Sequence, residues 1–190
     1  MHDPELEQYQ KADTETLSYF LTEAATGRTR VACFEPLTAR DIPELQSEAW
    51  TTARFKDVWI EWVDEEHTFK LVVREDDQKQ IQGLVRLGEV SRVNYSGRVL
   101  RDSLLETAPC NRYQALQRQY QGAGRVLVAR MVVESYVQGG SGQLLVRPVA
   151  GSLPFYHSLG FENVRHTPYC MLKEADARVL LTQSLADNSR

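Results

Sequence analysis

A glycine-rich segment before a predicted helix is the part of this sequence whose residue types point most clearly to chemistry. In QYQGAGRVLVARM, residues 119–131, Gly122 and Gly124 lie where a helix over 122–137 is predicted to begin. Glycine lets the backbone approach a ligand closely, and the first amides of a helix have no intrahelical partner, so this junction suits a phosphate. The helix dipole adds about 0.3–1 kcal/mol, and Arg125 supplies a cation. A tight helix entry without a ligand is the alternative interpretation of Gly-x-Gly alone.

Two segments together resemble the cofactor-site motifs of the GCN5-related N-acetyltransferase (GNAT) superfamily. Gln119, Gly122 and Gly124 match its phosphate-binding pattern, Gln/Arg-x-x-Gly-x-Gly/Ala. After the predicted helix and the strand pattern GQLLVRPV, the segment PFYHSLGF is similar to the family's aromatic-Tyr-x-x-Leu-Gly-Phe segment. Two motifs in the family's order are more specific than either motif alone. The clear resemblance covers about residues 104–161.

The resemblance implies that acetyl-CoA is the cofactor and also implies where it binds. In the family, the strand before the phosphate motif pairs with the pantetheine arm of the cofactor, and the helix start holds the pyrophosphate. For the side chain of Thr107, a simple preference for strand structure is the favoured explanation. The residues expected to bind the cofactor are Leu105, Thr107, Ala108, Gln119, Gln121, Gly122, Ala123, Gly124 and Arg125.

The resemblance also implies catalytic roles, and alternatives remain for each. Tyr156 corresponds to the family's frequent general acid, and a tyrosine hydroxyl is a neutral donor at pH 7, as that role requires. The alternative is a core aromatic residue. Glu106, in LLETAP, is the leading general base, or else an ordinary salt-bridged strand carboxylate. Asp102 is the reserve, because period-two spacing places it on the same strand face as Glu106. His157 has a suitable pKa by type, but an exposed helix histidine is the more common explanation.

Two departures from the family's pattern bear on the acceptor. The loop over 110–120 is longer than in common family members, and we expect it to shape acceptor binding. The family's frequent Asn after the next strand is missing, because PVAGS occupies that region. Four aromatic residues fall where family members build an acceptor wall, although core packing is the simpler assignment for most of them. These residues are Trp50, Phe55, Trp59 and Trp62.

The predicted helices and strands that position these residues indicate one α/β domain over residues 1–190. Helical spacing of apolar residues predicts an extra N-terminal helix at about 14–26, with Asp13 as its N-cap. Strand 30–37 and a short helix capped by Thr38 follow, and then a hairpin formed by 68–74 and 81–90. The run VLRDSLLETAP contains a strand that Pro109 ends, and two short strands are expected within 163–172. We therefore expect a mixed, mostly antiparallel central sheet flanked by helices, as in the GNAT-like fold.

Composition limits the class of protein and its partners. The chain has 190 residues, 42% of them hydrophobic and 25% charged, which is typical of a globular protein with a packed core. Its net charge is −4 without a basic block, so we expect no nucleic-acid partner. The first residues lack the pattern of a secretory signal, and no apolar run is long enough to span a membrane. The three cysteines have no metal-ligand spacing, so we expect a cytoplasmic protein with reduced thiols and no metal.

These observations lead to one leading hypothesis and two alternatives. The leading one is transfer of an acetyl group from acetyl-CoA to a primary amine of a small molecule or protein, by direct attack in a ternary complex. One alternative is an enzyme of the same fold that transfers a longer acyl chain. The other is a CoA-binding regulatory or interaction module without turnover. A homodimer is left open.

Overall fold

The computed structural model describes residues 17–74, 79–93 and 97–185, and the chain divides into two compact units. Within the described ranges, the first unit contains 17–86, 104–127 and Leu185, and the second unit contains 87–103 and 128–184. The single domain expected over 1–190 stays a prediction. Among the described residues, no helix is both long and apolar enough to cross a membrane.

The strands and helices follow one another in the order predicted for most of the chain. The strands are β1 (Tyr19–Glu23), β2 (Thr29–Pro36), β3 (Thr68–Val73), β4 (Ile81–Arg86), β5 (Glu89–Val93), β6 (Gly97–Arg101), β7 (Leu104–Thr107), β8 (Tyr120–Gln121), β9 (Leu144–Val146), β10 (Glu162–Asn163) and β11 (Cys170–Leu172). The α-helices are α1 (Ile42–Leu45), α2 (Lys56–Glu61), α3 (Ala123–Val137), α4 (Leu153–Ser158) and α5 (Glu174–Ser184). Short 3₁₀ turns lie at Ala39–Asp41, Glu48–Trp50 and Pro109–Asn111.

The first unit is built on a six-stranded sheet with the order β7-β4-β3-β2-β1-β8, in which neighbouring strands are antiparallel. The predicted hairpin is confirmed, because β3 and β4 pair directly. Trp50 and Trp59 are buried in the core of this unit, and Phe55 and Trp62 pack against it. Core packing, the simpler assignment for these aromatic residues, is therefore confirmed for the two buried tryptophans.

The second unit is built on a five-stranded sheet with the order β10-β11-β9-β6-β5. Its pairs are antiparallel except for β6 and β9, which run parallel. Residues 128–136 of α3 belong to this unit and are buried. Within them, Nη1 of Arg130 and Oε2 of Glu134 form an ion pair at 3.1 Å. With mostly antiparallel pairing, one parallel pair and helices beside both sheets, the predicted mixed α/β class is confirmed. The helix α5 was not predicted.

The predicted N-terminal helix at 14–26 is wrong where the structure describes it. Residues 19–23 form β1, and Asp13, the expected N-cap, lies outside the described residues. The side chains of Tyr19 and Leu21 are buried while Phe20 is 38% exposed, which is the period-two pattern of a strand. The apolar spacing of this short segment fits both a helix and a strand. Because β1 pairs with β2 on one side and with β8 on the other, the hydrogen bonds of these two pairs select the strand.

Two predicted strands are each divided between the two sheets. Residues 81–90 form β4 in the first unit and the start of β5 in the second, with a break at Gly88. A Cβ atom at Gly88 would lie 1.8 Å from the carbonyl oxygen of Arg101, so the backbones approach there as only glycine permits. The run VLRDSLLETAP likewise forms β6 and β7, with Asp102 between them in the left-handed region at φ 62°. These breaks let the chain leave one sheet and enter the other.

Candidate functional site

The predicted phosphate segment lies at a strand-to-helix junction in the first unit. Gln121 ends β8, Gly122 follows with φ 92°, and Ala123, Gly124 and Arg125 form the first turn of α3. The left-handed backbone at Gly122 favours glycine, because a Cβ atom is strained there by about 1–2 kcal/mol. Pairing of β8 with β1 fixes the position of the helix start. The structure therefore confirms the local geometry, a glycine turn leading into a helix.

The start of α3 is accessible to a ligand. Gln121 and Arg125 are exposed, and Gly122 and Gly124 are half-buried. The first intrahelical bond runs from the amide of Val126 to the carbonyl of Gly122, at 3.0 Å, so the amides of residues 123–125 precede it. Amides in this position, together with the helix dipole, attract an anion. The junction is a suitable place for a pyrophosphate group.

The strand β7, predicted to face the pantetheine arm, ends the six-stranded sheet. Its paired neighbour is β4, and the amide of Ala108 donates to the carbonyl of Gln82 at 3.1 Å. Leu105 and Thr107 are half-buried, whereas Glu106 and Ala108 are buried. A strand at the end of a sheet keeps one row of backbone donors and acceptors beyond its paired side, and an extended ligand can pair with such a row.

Gln119 braces the base of the long loop with its backbone and its side chain. Its carbonyl accepts a hydrogen bond from the amide of Ala24 at 2.9 Å, and its side-chain amide lies 3.4 Å from the Gln80 side-chain oxygen. Its own side-chain oxygen lies 3.6 Å from the sulfur of Cys110, whose pKa is raised by burial. Gln119, Cys110 and Ala108 line a cavity of about 340 Å³ within the first unit. A direct contact of Gln119 with the cofactor stays a prediction.

A buried amide network holds the loop over 110–120. The side-chain nitrogen of Asn111 donates to the backbone and side-chain oxygens of Gln82, at 3.1 and 2.8 Å. The amide of Tyr120 donates to the Asn111 side-chain oxygen at 2.8 Å. These bonds tie the start of the loop to β4 and the end of the loop to its start, while Tyr113 and Leu116 within it are exposed. The sequence singled out the loop but not Asn111, whose role depends on Gln82 far away in the chain.

Glu106, the leading candidate for the general base, has both carboxylate oxygens engaged by neighbouring groups. One oxygen accepts from the amide of Arg54 at 2.6 Å and from the guanidinium of Arg112 at 2.8 Å. The other accepts from the amide of Phe55 at 3.1 Å and from the indole nitrogen of Trp59 at 2.9 Å. The side chain of Glu106 is only 6% exposed. Because Arg54 and Phe55 precede α2, their hydrogen bonds to this carboxylate join β7 to the segment before α2. The geometry matches the salt-bridged alternative, and the base role stays a prediction.

The structure places Asp102, the reserve candidate for the base, and also His157 outside the strand that carries Glu106. Asp102 lies in the turn between β6 and β7, and its exposed carboxylate pairs with Arg101 at 2.6 Å. The expectation that it shares a strand face with Glu106 is wrong, because the left-handed turn interrupts the period-two alternation. His157 lies on α4 and is exposed, and its Nε2 is 3.1 Å from the side-chain oxygen of Asn163.

Tyr156, the predicted general acid, is buried on α4 in the second unit. Its ring contacts Phe155 and Phe161 edge-on, with centroid distances of 5.1 and 5.2 Å. Burial raises the pKa of the hydroxyl to about 12, and the nearby Cys170 contributes a smaller effect in the same direction. The hydroxyl is therefore protonated at neutral pH, as a proton donor must be. The ring contacts show that the residue also packs in the core.

Comparison with solved structures identifies the fold. The chain is similar to AtaTR bound with AcCoA, at 18% identity over 78% of this chain and 97% of that chain, with a TM-score of 0.53. It is also similar to the N-acetyltransferase YlbP of Bacillus subtilis in complex with coenzyme A, at 10% identity over 81% and 95% of the two chains, TM-score 0.44. A GCN5-related N-acetyltransferase from Ralstonia eutropha JMP134 gives 15% identity over 72% and 95%, TM-score 0.42. No protein-family model and no curated protein matches the chain. The GNAT-like fold expected from the two motifs is confirmed, on the likeness to AtaTR.

Proposed function

We propose that this protein is an acetyl-CoA-dependent N-acetyltransferase that acts on a primary amine. The observation that supports this proposal most directly is the accessible start of α3 in a GNAT-like fold. Gly122 takes a backbone conformation that favours glycine, and the amides of residues 123–125 precede the first helical bond. A pyrophosphate fits this junction because the site offers amide donors, the positive end of a helix dipole and the exposed Arg125.

Each group of residues has a distinct task in this proposal. Residues 121–125 hold the pyrophosphate, and the backbone of Leu105, Thr107 and Ala108 holds the pantetheine arm. Bound acetyl-CoA supplies an activated acetyl group. Tyr156 donates a proton to the departing thiolate, which its neutral hydroxyl can do across the physiological pH range. Direct attack of the amine requires that the amine be neutral, so a base must accept its proton.

A second candidate, a CoA-binding module without turnover, is favoured by the surroundings of Glu106. Its two carboxylate oxygens accept four hydrogen bonds from this chain. These bonds stabilise the fold and compete with acceptance of a proton from an amine. If the protein is an enzyme and Glu106 is structural, the proton of the amine passes to bulk water or to another group. The enzyme and the module share the cofactor site and differ only in turnover, and a longer acyl donor would use the same site.

Cofactor binding is tested by thermal unfolding with and without millimolar acetyl-CoA. A ligand selective for the folded state stabilises it by about 2.7 kcal/mol at a hundred times Kd. We expect Gly124→Gln to abolish the shift, because a side chain there crowds the helix start. Ala175→Gln is the matched control, since Ala175 is the exposed second residue of α5 as Gly124 is the second residue of α3. Absence of a shift in the native protein would refute the proposal.

Turnover is measured separately, as thiol release with a broad panel of amines. Native mass spectrometry of the freshly purified protein identifies any bound CoA species and the mass of its acyl group. Binding together with thiol release supports the enzyme, and the acyl mass distinguishes acetyl from longer donors. Binding without thiol release across the panel supports the module.

A further inference from the structure

A cleft in the second unit shares no lining residue with the start of α3. It has a volume of about 490 Å³ and lies between the loop that follows β9 and the turn that joins β10 to β11. Val149 and Leu153 line one side, and residues 163–169 line the other. This volume is within the range of about 300–1,000 Å³ that is typical of small-molecule sites.

The cleft is lined by basic side chains. Arg165 and His166 are exposed at the tip of the turn, and none of the described residues that line the cleft is an Asp or a Glu. The nearest carboxylate along the chain, Glu162, is already paired with Lys173. This set of described lining residues, with a guanidinium and an imidazole, favours an anionic group, which a guanidinium binds by charge-assisted hydrogen bonds.

The turn that presents Arg165 and His166 is held by several hydrogen bonds. The amide and the hydroxyl of Thr167 both donate to the carbonyl of Val164, at 3.2 and 2.9 Å. The amide of Tyr169 donates to the Thr167 hydroxyl at 3.2 Å, and the amide of Val164 donates to the Tyr169 carbonyl at 3.0 Å. His166 has φ 59°, a conformation that a non-glycine residue adopts only when its surroundings enforce it. The side chains of Arg165 and His166 therefore project from a fixed backbone.

The cleft adjoins the helix that carries Tyr156. Leu153, which lines the cleft, is three residues before Tyr156 on α4, so the two side chains lie on the same side of the helix. Asn163, on the opposite wall, is 3.1 Å from the imidazole of His157, the residue after Tyr156. A ligand in the cleft is thus held against the helix of the predicted proton donor.

We propose that this cleft is the acceptor site and that it selects primary amines that also carry an anionic group. This inference rests on the proposed acetyl transfer, because it gives the cleft its role as acceptor site. Arg165 is the main specificity residue, and His166 assists it. A carboxylate and a phosphate share the chemistry that the cleft recognises.

The test uses three small amines that share a 2-aminoethyl group. They are ethanolamine, which has no anionic group, β-alanine, which has a carboxylate, and O-phosphoethanolamine, which has a phosphate. Each is titrated into the isotope-labelled protein at constant ionic strength, and Kd is obtained from the backbone amide shifts of residues 163–167 and Tyr169. We expect at least one anionic amine to bind about tenfold or more tightly than ethanolamine, as for a charged hydrogen bond. Which one binds distinguishes carboxylate from phosphate acceptors.

Two variants assign the preference to the cleft. Arg165→Gln should weaken binding of the anionic amine by about tenfold and leave ethanolamine unchanged. Arg92→Gln, at an exposed arginine on β5 that does not line the cleft, should bind as the native protein does. Equal affinity for all three amines, or an Arg165→Gln variant with native affinity, would overturn the inference. The outcome is independent of acetyl-CoA binding, so failure here is distinguishable from failure of the proposed function.

Discussion

Replacing Glu106 with glutamine should destabilise the first unit strongly, although the two side chains have nearly the same shape. The amide group of glutamine places an NH₂ where one carboxylate oxygen was, and each oxygen of Glu106 faces two donors. Either orientation therefore loses two hydrogen bonds and sets donors against donors. Bonds to a charged acceptor contribute about 1.5–3 kcal/mol each, so we expect Glu106→Gln to lower the free energy of unfolding by about 3–5 kcal/mol.

Urea denaturation at pH 7 measures this loss, with Arg112→Gln as the control. Arg112 supplies only one of the four bonds to Glu106, and 36% of its side chain is exposed, so solvent screening limits the cost to about 1 kcal/mol. In thermal unfolding, the loss for Glu106→Gln corresponds to about 10 °C in a chain of this size. The reasoning fails if Glu106→Gln unfolds within about 1 kcal/mol of the native protein, or if Arg112→Gln is equally damaging.

Two further predictions concern Tyr156 and Asn111. Because burial raises the pKa of Tyr156 from 10.0 to about 12, its contribution to stability is present below pH 10 and is lost as pH rises toward 12, by up to about 3 kcal/mol. Tyr156→Phe should lack this alkaline loss in urea denaturation, and its turnover at neutral pH should fall by about 10² with little change in acetyl-CoA affinity; native turnover would remove the proton-donor role. Asn111→Ala leaves the buried amide of Tyr120 without its acceptor and should cost about 1–3 kcal/mol, whereas the exposed Asn163→Ala should cost under about 0.5 kcal/mol in the same assay.

The sequence determined those features whose physics is local. The glycine pair at 122 and 124 and the apolar run that follows predicted a turn into a helix, because backbone freedom and helical periodicity act within a few residues. The β3–β4 hairpin and the end of β7 before Pro109 followed from strand propensity and from the missing amide of proline. Motif order then pointed to the GNAT-like fold.

Only the tertiary structure decided the features that depend on partners far away in the chain. Apolar residues near Tyr19 fit a helix as well as a strand, and hydrogen bonds from β2 and β8 selected the strand. In the same way, LLETAP did not show that Glu106 would be buried among Arg54, Phe55 and Trp59, which lie more than forty residues earlier. A carboxylate's protonation and availability depend on the groups that surround it in space, and local spacing carries no information about those groups.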